Sequence, residues 1–243
     1  MAGQKQPAAG GCKTLPVAET FASIQGEGKL TGVPSWFVRV SGCNLRCTWC
    51  DTPFASWNPE GERVEVGRLT EEALNSGLKH AVLTGGEPML FPAVEALTEQ
   101  LRTAGLHVTM ETAGTVDREI HVDLMSISPK LSGSVPYKRD EGKFARQHDE
   151  LRLNIPVLQK LVDRGDDVQF KFVVQYPGEI GEIRDIMSQL SGWRNDDILL
   201  MPQWTGGEIN PALRKLLLRA CMEHGWRFCD RLHIRLFGNK RGT

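Results

Sequence analysis

The chain has 243 residues, of which 40% are apolar, and its 29 Lys and Arg nearly balance 30 Asp and Glu, for a formal net charge of −1. This composition is typical of a globular protein with one sizeable core. It argues against a nucleic-acid partner, because phosphate binders usually carry a basic excess, and no apolar run reaches the ~20 residues of a membrane span.

Residues 1–14 are rich in Gly, Pro and Ala and show no hydrophobic periodicity. We therefore predict a mobile tail, followed by a single domain over residues 15–243. The tail lacks the apolar stretch of a secretory signal. The predicted location is the cytoplasm, where reducing conditions keep thiols free.

Short apolar runs alternate with amphipathic helical patterns after the tail. We predict strands at residues 36–40, 80–84, 106–111, 123–128, 168–174, 198–201 and 226–229. Helical spacing follows Pro92, recurs over residues 183–190 and follows Pro211.

Strands that alternate with helices favour an α/β fold, here a partial (open) TIM-like barrel of about six βα units. A doubly wound parallel sheet is the alternative. The polar residues 132–149 are predicted to form a surface insertion with little chemistry.

Polar or glycine-bearing turns follow five of the predicted strands. These turns are residues 42–43, 84–88, 111–115, 128–130 and 202–203. Ligands bind at the carboxyl ends of the strands in parallel sheets and barrels, so we expect the five turns to form one continuous site.

Three of the six cysteines, Cys43, Cys47 and Cys50, follow the first predicted parallel strand with the spacing C-x3-C-x2-C. Three thiolates on a short loop suit three corners of a cubane iron–sulfur cluster and leave one iron open for chemistry. A zinc site would need a fourth ligand, usually from a second Cys/His pair at short spacing, and a ferredoxin-type carrier would need four cysteines. Neither pattern is present, so the sequence favours a cluster with an open iron.

Arg39 lies within an otherwise apolar strand, between Val38 and Val40. A buried polar role is at least as plausible for it as an exposed strand edge. Its guanidinium would be a suitable bidentate partner for a carboxylate.

The cysteine motif resembles the signature of the radical S-adenosylmethionine superfamily. Two further features agree with it, namely Trp49 directly before the last cysteine and the Gly-Gly-Glu-Pro sequence at residues 85–88. More specifically, the chain looks like the 7-carboxy-7-deazaguanine synthase family. The motifs that carry this second resemblance are residues 24–28 (IQGEG), 37–39, 42–45, 49–52, 111–115, 128–130 and 232–233.

The resemblance implies a lyase that contracts the ring of 6-carboxy-5,6,7,8-tetrahydropterin to 7-carboxy-7-deazaguanine, with loss of ammonia, in queuosine and other deazapurine biosynthesis. It implies a 4Fe–4S cluster, S-adenosyl-L-methionine and Mg²⁺ as cofactors. It also implies a homodimer and an electron donor such as flavodoxin or ferredoxin.

Site residues are carried over by position. Cys43, Cys47 and Cys50 would bind the cluster, and Thr52 would bind Mg²⁺. The pterin pocket would be formed by Ile24, Gln25, Gly26, Glu27 and Arg39, with Thr84 and His233 nearby. S-adenosylmethionine would contact Trp49, Cys50, Asp51, Gly86, Ser128, Pro129, Lys130 and Gln203.

Two other functions remain open at this stage. One is a radical enzyme that activates a glycyl radical protein, which shares the cysteine motif but would need an open groove for a polypeptide. The other is a non-enzymatic zinc or iron–sulfur module, which would produce no 5′-deoxyadenosine.

Overall fold

The computed structural model describes residues 13–243. Within them, nine strands form one sheet in the order β3-β1-β2-β4-β5-β6-β7-β8-β9. The strands are β1 (Thr14–Ile24), β2 (Pro34–Val40), β3 (Glu62–Glu65), β4 (His80–Gly85), β5 (His107–Thr112), β6 (Leu124–Ile127), β7 (Val168–Val174), β8 (Ile198–Pro202) and β9 (Arg227–Phe228).

The order of the parallel strands decides between the two predicted architectures. β2 pairs in parallel with β4, and from β4 to β9 each strand pairs in parallel with the next one along the chain. A doubly wound sheet would reverse its order at a switch point, whereas barrel winding always proceeds in one direction. The sheet is open because its edge strands β3 and β9 do not pair with each other. The partial barrel is therefore confirmed.

Seven helices accompany the sheet in the described chain. They are α1 (Val66–Asn75), α2 (Ala93–Thr103), α3 (Ala145–Leu151), α4 (Ile155–Arg164), α5 (Gly178–Met187), α6 (Pro211–His224) and α7 (Leu232–Phe237). Leu97 of α2 and Ile183 of α5 are fully buried in the same cluster as Leu83 of β4 and Phe170 of β7. This apolar layer leaves the opposite face of the strands free for polar side chains. None of the described helices has the length and apolar character of a membrane span.

The alternation of side chains along β7 shows how the two faces differ. Phe170 and Phe172 are buried in the helix-facing core, while Gln169 and Lys171, equally buried, point to the inner face. Successive side chains of a strand point to opposite faces, so two polar residues at this spacing share the barrel interior.

All seven predicted strands are present, with shifts of a few residues at their ends. The three predicted helices, after Pro92, over residues 183–190 and after Pro211, are present as well. The sequence patterns did not predict β1, β3, α1, α3, α4 and α7. β1 and β3 form an antiparallel extension of the sheet, and the burial of β1 does not alternate along most of its length. Strand patterns are hard to detect without such alternation.

The predicted tail falls almost wholly on residues 1–12, which lie outside the described residues; its last residue, Thr14, already begins β1. Residues 132–149 were predicted to form a surface insertion, and this prediction is wrong because part of the segment is buried. This segment contains two short 3-10 turns and most of α3, and its Ser134 and His148 are buried. His148 contacts the cysteine-bearing loop through its side chain, and Ser134 contacts it through its backbone carbonyl, as described below.

The buried side chain of His80 should make the free energy of unfolding depend on pH. Its ring is 3% exposed and bonds through Nδ1 to Ser35 Oγ (2.6 Å) and through Nε2 to Thr109 Oγ1 (2.7 Å). Burial lowers the pKa of His80 to about 4, from 6.5. Between these two values the unfolded chain binds a proton that the folded chain excludes. The free energy of unfolding should therefore fall as the pH drops from 6.5 to 4, by at most about 1.4 kcal/mol per pH unit.

Denaturant unfolding of the cluster-free chain at pH 7 and pH 5 measures this effect. His80→Gln should reduce the loss of stability between the two pH values, whereas His121→Gln, at an exposed position, should not. An identical pH dependence for both variants and the parent chain would contradict the assignment to His80.

Candidate functional site

The carboxyl ends of the parallel strands surround a cavity of about 450 Å³. Nearly every residue that the sequence analysis assigned to a site lines it. The lining residues among them are Ile24, Gln25, Gly26, Glu27, Arg39, Cys43, Cys47, Trp49, Cys50, Asp51, Thr52, Thr84, Gly86, Ser128, Lys130, Gln203 and His233. Pro129 is buried between Ser128 and Lys130 and does not line the cavity.

The three clustered cysteines lie on the loop that follows β2. All three are free thiols that line the cavity, together with the apolar side chain of Leu45. Burial raises the pKa of Cys43 and of Cys47 to about 12, and for Cys43 the nearby carboxylate of Glu87 adds to the effect. Metal binding at these thiols would release their protons, because the thiolate is the form that ligates a metal.

The arrangement of the thiols fits a cluster better than a single ion. Among residues 13–243, no three His, Cys, Asp or Glu side chains are close enough together to hold one metal ion. The cysteines nevertheless lie on one loop around one part of the cavity. Three soft ligands on one cavity wall suit a group with several irons, and they do not fit the tight tetrahedral shell of zinc.

The Gly-Gly-Glu turn after β4 packs directly against the cysteine loop. A Cβ atom on Gly86 would lie 2.1 Å from the carbonyl oxygen of Gly42, so only glycine fits there. The backbone N–H of Glu87 donates to the same oxygen (2.9 Å). The two turns therefore form one rigid wall of the cavity.

The side chain of Glu87 is fully buried behind this wall. It accepts hydrogen bonds from Thr112 Oγ1 and from the backbone N–H groups of Met89 and Ala113, at 2.8–3.0 Å. Burial raises the pKa of this carboxyl group. Glu87 thus joins the β4 turn to the β5 turn and does not point into the cavity as a ligand.

The far end of the cavity holds a cluster of charged side chains around the buried Lys171. Lys171 Nζ donates to Glu27 Oε2 and to Glu111 Oε1, both at 2.9 Å, and its side chain is only 4% exposed. Burial acts to raise the pKa of Glu27, but the charges of Lys171 and Arg231 outweigh it and the pKa is lowered. The pKa of Lys171 is likewise raised, because Glu111 and Glu27 outweigh the effect of burial. Glu27 and Lys171 are therefore charged at neutral pH.

Arg231 connects this charged end to the cysteine side. Its Nε donates to Glu27 Oε1 (2.8 Å), its Nη1 to the carbonyl oxygen of Trp204 (2.8 Å) and its Nη2 to Asp51 Oδ2. Asp51 directly follows Cys50. A single partly buried guanidinium therefore fixes Glu27, the loop after β8 and the end of the cysteine loop relative to one another.

The residue pair Gly26 and His233 closes the cavity beside Glu27. A Cβ atom on Gly26 would lie 1.9 Å from His233 Nδ1, which explains the glycine in the loop that follows β1. His233 belongs to the first turn of α7, and the N–H of Leu232 donates to the carbonyl oxygen of Gly26 (2.9 Å). Burial lowers the pKa of His233.

Arg39 on β2 lines the cavity. Its Nε donates to Glu19 Oε1 on β1 (2.7 Å), and its guanidinium lies 5.6 Å from the ring centroid of Phe21. Nε uses one of five N–H donors. The remaining edge of the guanidinium stays available for a negatively charged ligand.

The turn after β6 carries a second cation. Lys130 Nζ donates to the carbonyl oxygen and to Oγ of Ser128, both at 2.8 Å. On the neighbouring cysteine loop, Trp49 lines the cavity, and its Nε1–H is buried with no partner in the described chain. Polar groups that converge on one cavity and keep donors unused are typical of a small-molecule site.

Several functional residues were missed from the sequence. Lys171 lies in the apolar run VQFKFVV, and the argument used for Arg39 would have singled it out as well. Glu111 lies within the motif of residues 111–115 but was not assigned to a site. The C-terminal residues Asn239, Lys240, Arg241 and Thr243 also line the cavity, and no pattern in the sequence predicts that they return to it.

Known proteins resemble this chain in both sequence and fold. The model of the radical SAM superfamily matches residues 37–129. A 7-carboxy-7-deazaguanine synthase from Rhodopirellula baltica is 47% identical over 230 residues, which are 95% of this chain and 89% of that protein. Another, from Halobacterium salinarum, is 39% identical over 239 residues, or 94% and 93% of the two chains. The crystal structure of QueE from Escherichia coli has the same fold, with a TM-score of 0.69 at 24% identity over 90% of this chain and 95% of that one.

Proposed function

The chain belongs to the 7-carboxy-7-deazaguanine synthase family of radical SAM enzymes, and we propose that its cavity binds 6-carboxy-5,6,7,8-tetrahydropterin and Mg²⁺ beside the cluster and S-adenosylmethionine. The observation that carries the proposal is the composition of one cavity. It has three thiols on one side and the charge cluster of Glu27, Lys171 and Glu111 on the other. A cofactor site and a site for a small polar substrate therefore share one enclosed space.

The charge cluster suits the pyrimidine half of a pterin, which presents several N–H donors on one edge. Glu27 and Glu111 both accept from the buried Lys171, and carboxyl oxygens in such an ion-paired setting form strong hydrogen bonds with N–H groups. Lys171 holds both carboxylates in place and compensates their charge. Arg39 faces the same cavity and is the proposed partner for the carboxylate of the substrate.

The cysteine side is the proposed cofactor half. Cys43, Cys47 and Cys50 would hold three irons of the 4Fe–4S cluster. The groups proposed to position S-adenosylmethionine are Trp49, Cys50, Asp51, Gly86, Ser128, Lys130 and Gln203, with Pro129 shaping the turn. When bound, the two cofactors supply the electron and the hydrogen-abstracting radical. This chain holds the reacting groups together and excludes water.

Thr52 is the proposed protein ligand of Mg²⁺. Its side chain lines the cavity, and its Oγ1 lies 3.7 Å from Cys50 Sγ, between the two halves of the site. Mg²⁺ usually keeps several waters and takes only one or two protein ligands beside its substrate. Coordination by the Thr52 hydroxyl and the substrate carboxylate would match this usual pattern of Mg²⁺ ligands. The ion would act as a template and a Lewis acid toward the substrate.

Replacing Thr52 tests this role. Thr52→Val should raise the Mg²⁺ concentration needed for half-maximal turnover by about tenfold, because one protein ligand is lost. Thr52→Ser keeps the hydroxyl and should retain the parent value. Turnover measured against Mg²⁺ concentration separates the two variants, and an equal response of both would remove Thr52 from the ion site.

The glycyl radical activase is the second candidate from the sequence. An activase needs a groove that admits a polypeptide, whereas this cavity is lined from the C-terminal side by Asn239, Arg241 and Thr243. Anaerobic formation of 5′-deoxyadenosine, compared with and without the pterin, tests the proposed substrate. We expect the pterin to raise the rate and to be consumed; formation that ignores the pterin would favour an activase.

We further propose that residues 15–243 act as one domain, that the protein works as a homodimer and that a reduced flavodoxin or ferredoxin supplies the electron. The family membership supports these proposals. Sedimentation of the loaded enzyme and reduction assays with each donor would test them.

A further inference from the structure

The loop that carries the three cysteines contains no helix or strand between residues 43 and 50. Such a loop keeps one conformation only if its backbone N–H and C=O groups find partners elsewhere. Residues 132–149, which we call the strap, supply several of them. The strap begins beside the turn after β6 and crosses the outer side of the cysteine loop.

The first contact is made by two buried strap residues. His148 Nδ1 accepts a hydrogen bond from the backbone N–H of Arg46 (3.0 Å), so the proton of the neutral ring resides on Nε2. Nε2 then donates to Ser134 Oγ (2.9 Å), which in turn donates to the carbonyl oxygen of Leu131 (2.6 Å). The relay is complete, and every donor in it has an acceptor.

The second contact holds the other side of Cys47. The N–H of Thr48 donates to the carbonyl oxygen of Ser134 (2.8 Å), and Arg139 Nη1 donates to the carbonyl oxygen of Thr48 (3.0 Å). The guanidinium of Arg139 also lies 3.9 Å from the ring centroid of Trp57, whose Nε1–H donates to the carbonyl oxygen of Cys47 (3.0 Å).

The backbone on both sides of Cys47 is therefore fixed by a segment about a hundred residues away in the chain, at separations of 91 and 102 residues for these bonds. Phe144 of the strap adds an aromatic contact, edge-on to Trp57 with ring centroids 5.7 Å apart. These contacts are made with the backbone of the loop. They therefore set the direction of the Cys47 side chain without contacting its sulfur atom.

We propose that the strap holds the cysteine loop in its ligand-binding conformation, with His148 and Arg139 as positioning residues for Cys47. The proposal rests on the assignment of Cys43, Cys47 and Cys50 as cluster ligands. It predicts that the strap slows both the opening of the loop and the loss of iron from it. A strap that merely covers the surface would do neither.

Arg139 provides a variant that leaves the buried relay intact. Arg139→Met removes the bond to Thr48 and the cation–π contact, and it should speed the release of iron to a chelator by about tenfold. Lys138→Met removes a charge from the adjacent exposed position and is the matched control. The reduced cluster of Arg139→Met should also show an altered electron paramagnetic resonance spectrum. Equal iron release and identical spectra for both variants and the parent would overturn the proposal.

His148 provides a rescue experiment. Asparagine places an oxygen near the position of Nδ1 and can accept from the Arg46 N–H, whereas leucine cannot. We therefore expect His148→Leu to speed hydrogen exchange at the Arg46 amide in the cluster-free chain, by about tenfold or more, and His148→Asn to restore slow exchange. Fast exchange already in the parent chain, or equal rates for both variants, would contradict the proposal.

The two readouts separate this proposal from the function on which it rests. If the parent chain takes up no cluster, the assignment of the cysteines fails, while the exchange experiment still decides whether the strap orders the loop. If the cluster loads normally but the strap variants change neither exchange nor iron release, only the positioning role fails.

Discussion

Cys47→Ala is expected to leave the protein without a stable 4Fe–4S cluster and to reduce 5′-deoxyadenosine formation to the background level. Cys47 is buried among Leu45 and Ala113 and lines the same cavity as Cys43 and Cys50. A cluster held by three thiolates has no spare protein ligand that could replace one of them. Iron and sulfide content after anaerobic reconstitution, together with the product of S-adenosylmethionine cleavage, measures the effect.

Cys221→Ala is the matched control, because Cys221 is a buried thiol on α6 that belongs to the apolar core. It should keep the full iron content and activity and lose only about 1 kcal/mol of stability for the small cavity left behind. Full iron loading in Cys47→Ala would remove the three-thiol cluster from the account. A loss of iron in Cys221→Ala would show that iron content reports general damage.

Lys171→Met is expected to lower the free energy of unfolding by about 3–5 kcal/mol, the usual result of removing one partner from a buried ion pair. The substitution leaves Glu27 and Glu111 facing each other without the cation that lies 2.9 Å from each of them. Their mutual repulsion should also return the pKa of Glu27 toward the normal range. Denaturant unfolding of the cluster-free chain gives the stability change.

The same variant should separate the two halves of the reaction. The cysteine side is untouched, so cleavage of S-adenosylmethionine should continue, while conversion of the pterin should be strongly reduced because its proposed carboxylate partners are displaced. Lys160→Met removes a lysine from a largely exposed pair with Asp117 and should cost about 1 kcal/mol or less. Normal pterin turnover in Lys171→Met would show that the charge cluster does not take part in substrate binding.

The sequence patterns predicted the parallel part of the fold because most of these strands are short, largely apolar runs. They did not predict β1, in which Glu19 and other polar residues are only partly buried because it lies on the antiparallel side of the sheet. Nearly all residues that the motifs assigned to a site line the cavity, although many other lining residues were not assigned. The motif residues meet in one cavity because several turns lie at the same edge of the sheet, which follows from its parallel topology.

The charge cluster and the strap escaped prediction for a common physical reason. Lys171 is 144 residues from Glu27 and 60 residues from Glu111, and a lysine in a strand reveals its partners only when the strands are placed side by side. The strap is polar, and its buried residues Ser134 and His148 follow no apolar period that would distinguish it from a surface loop. Long-range polar contacts of this kind are decided by tertiary structure.

The central claim is that one cavity joins the cluster to the pterin, and anaerobic turnover tests it most directly. The reconstituted enzyme would be supplied with dithionite, S-adenosylmethionine, Mg²⁺ and 6-carboxy-5,6,7,8-tetrahydropterin, and the products followed by mass spectrometry. The account predicts 7-carboxy-7-deazaguanine and ammonia in equal amounts, absent in Cys47→Ala and strongly reduced in Lys171→Met. Formation of 5′-deoxyadenosine while the pterin remains unconsumed in the parent enzyme would contradict it.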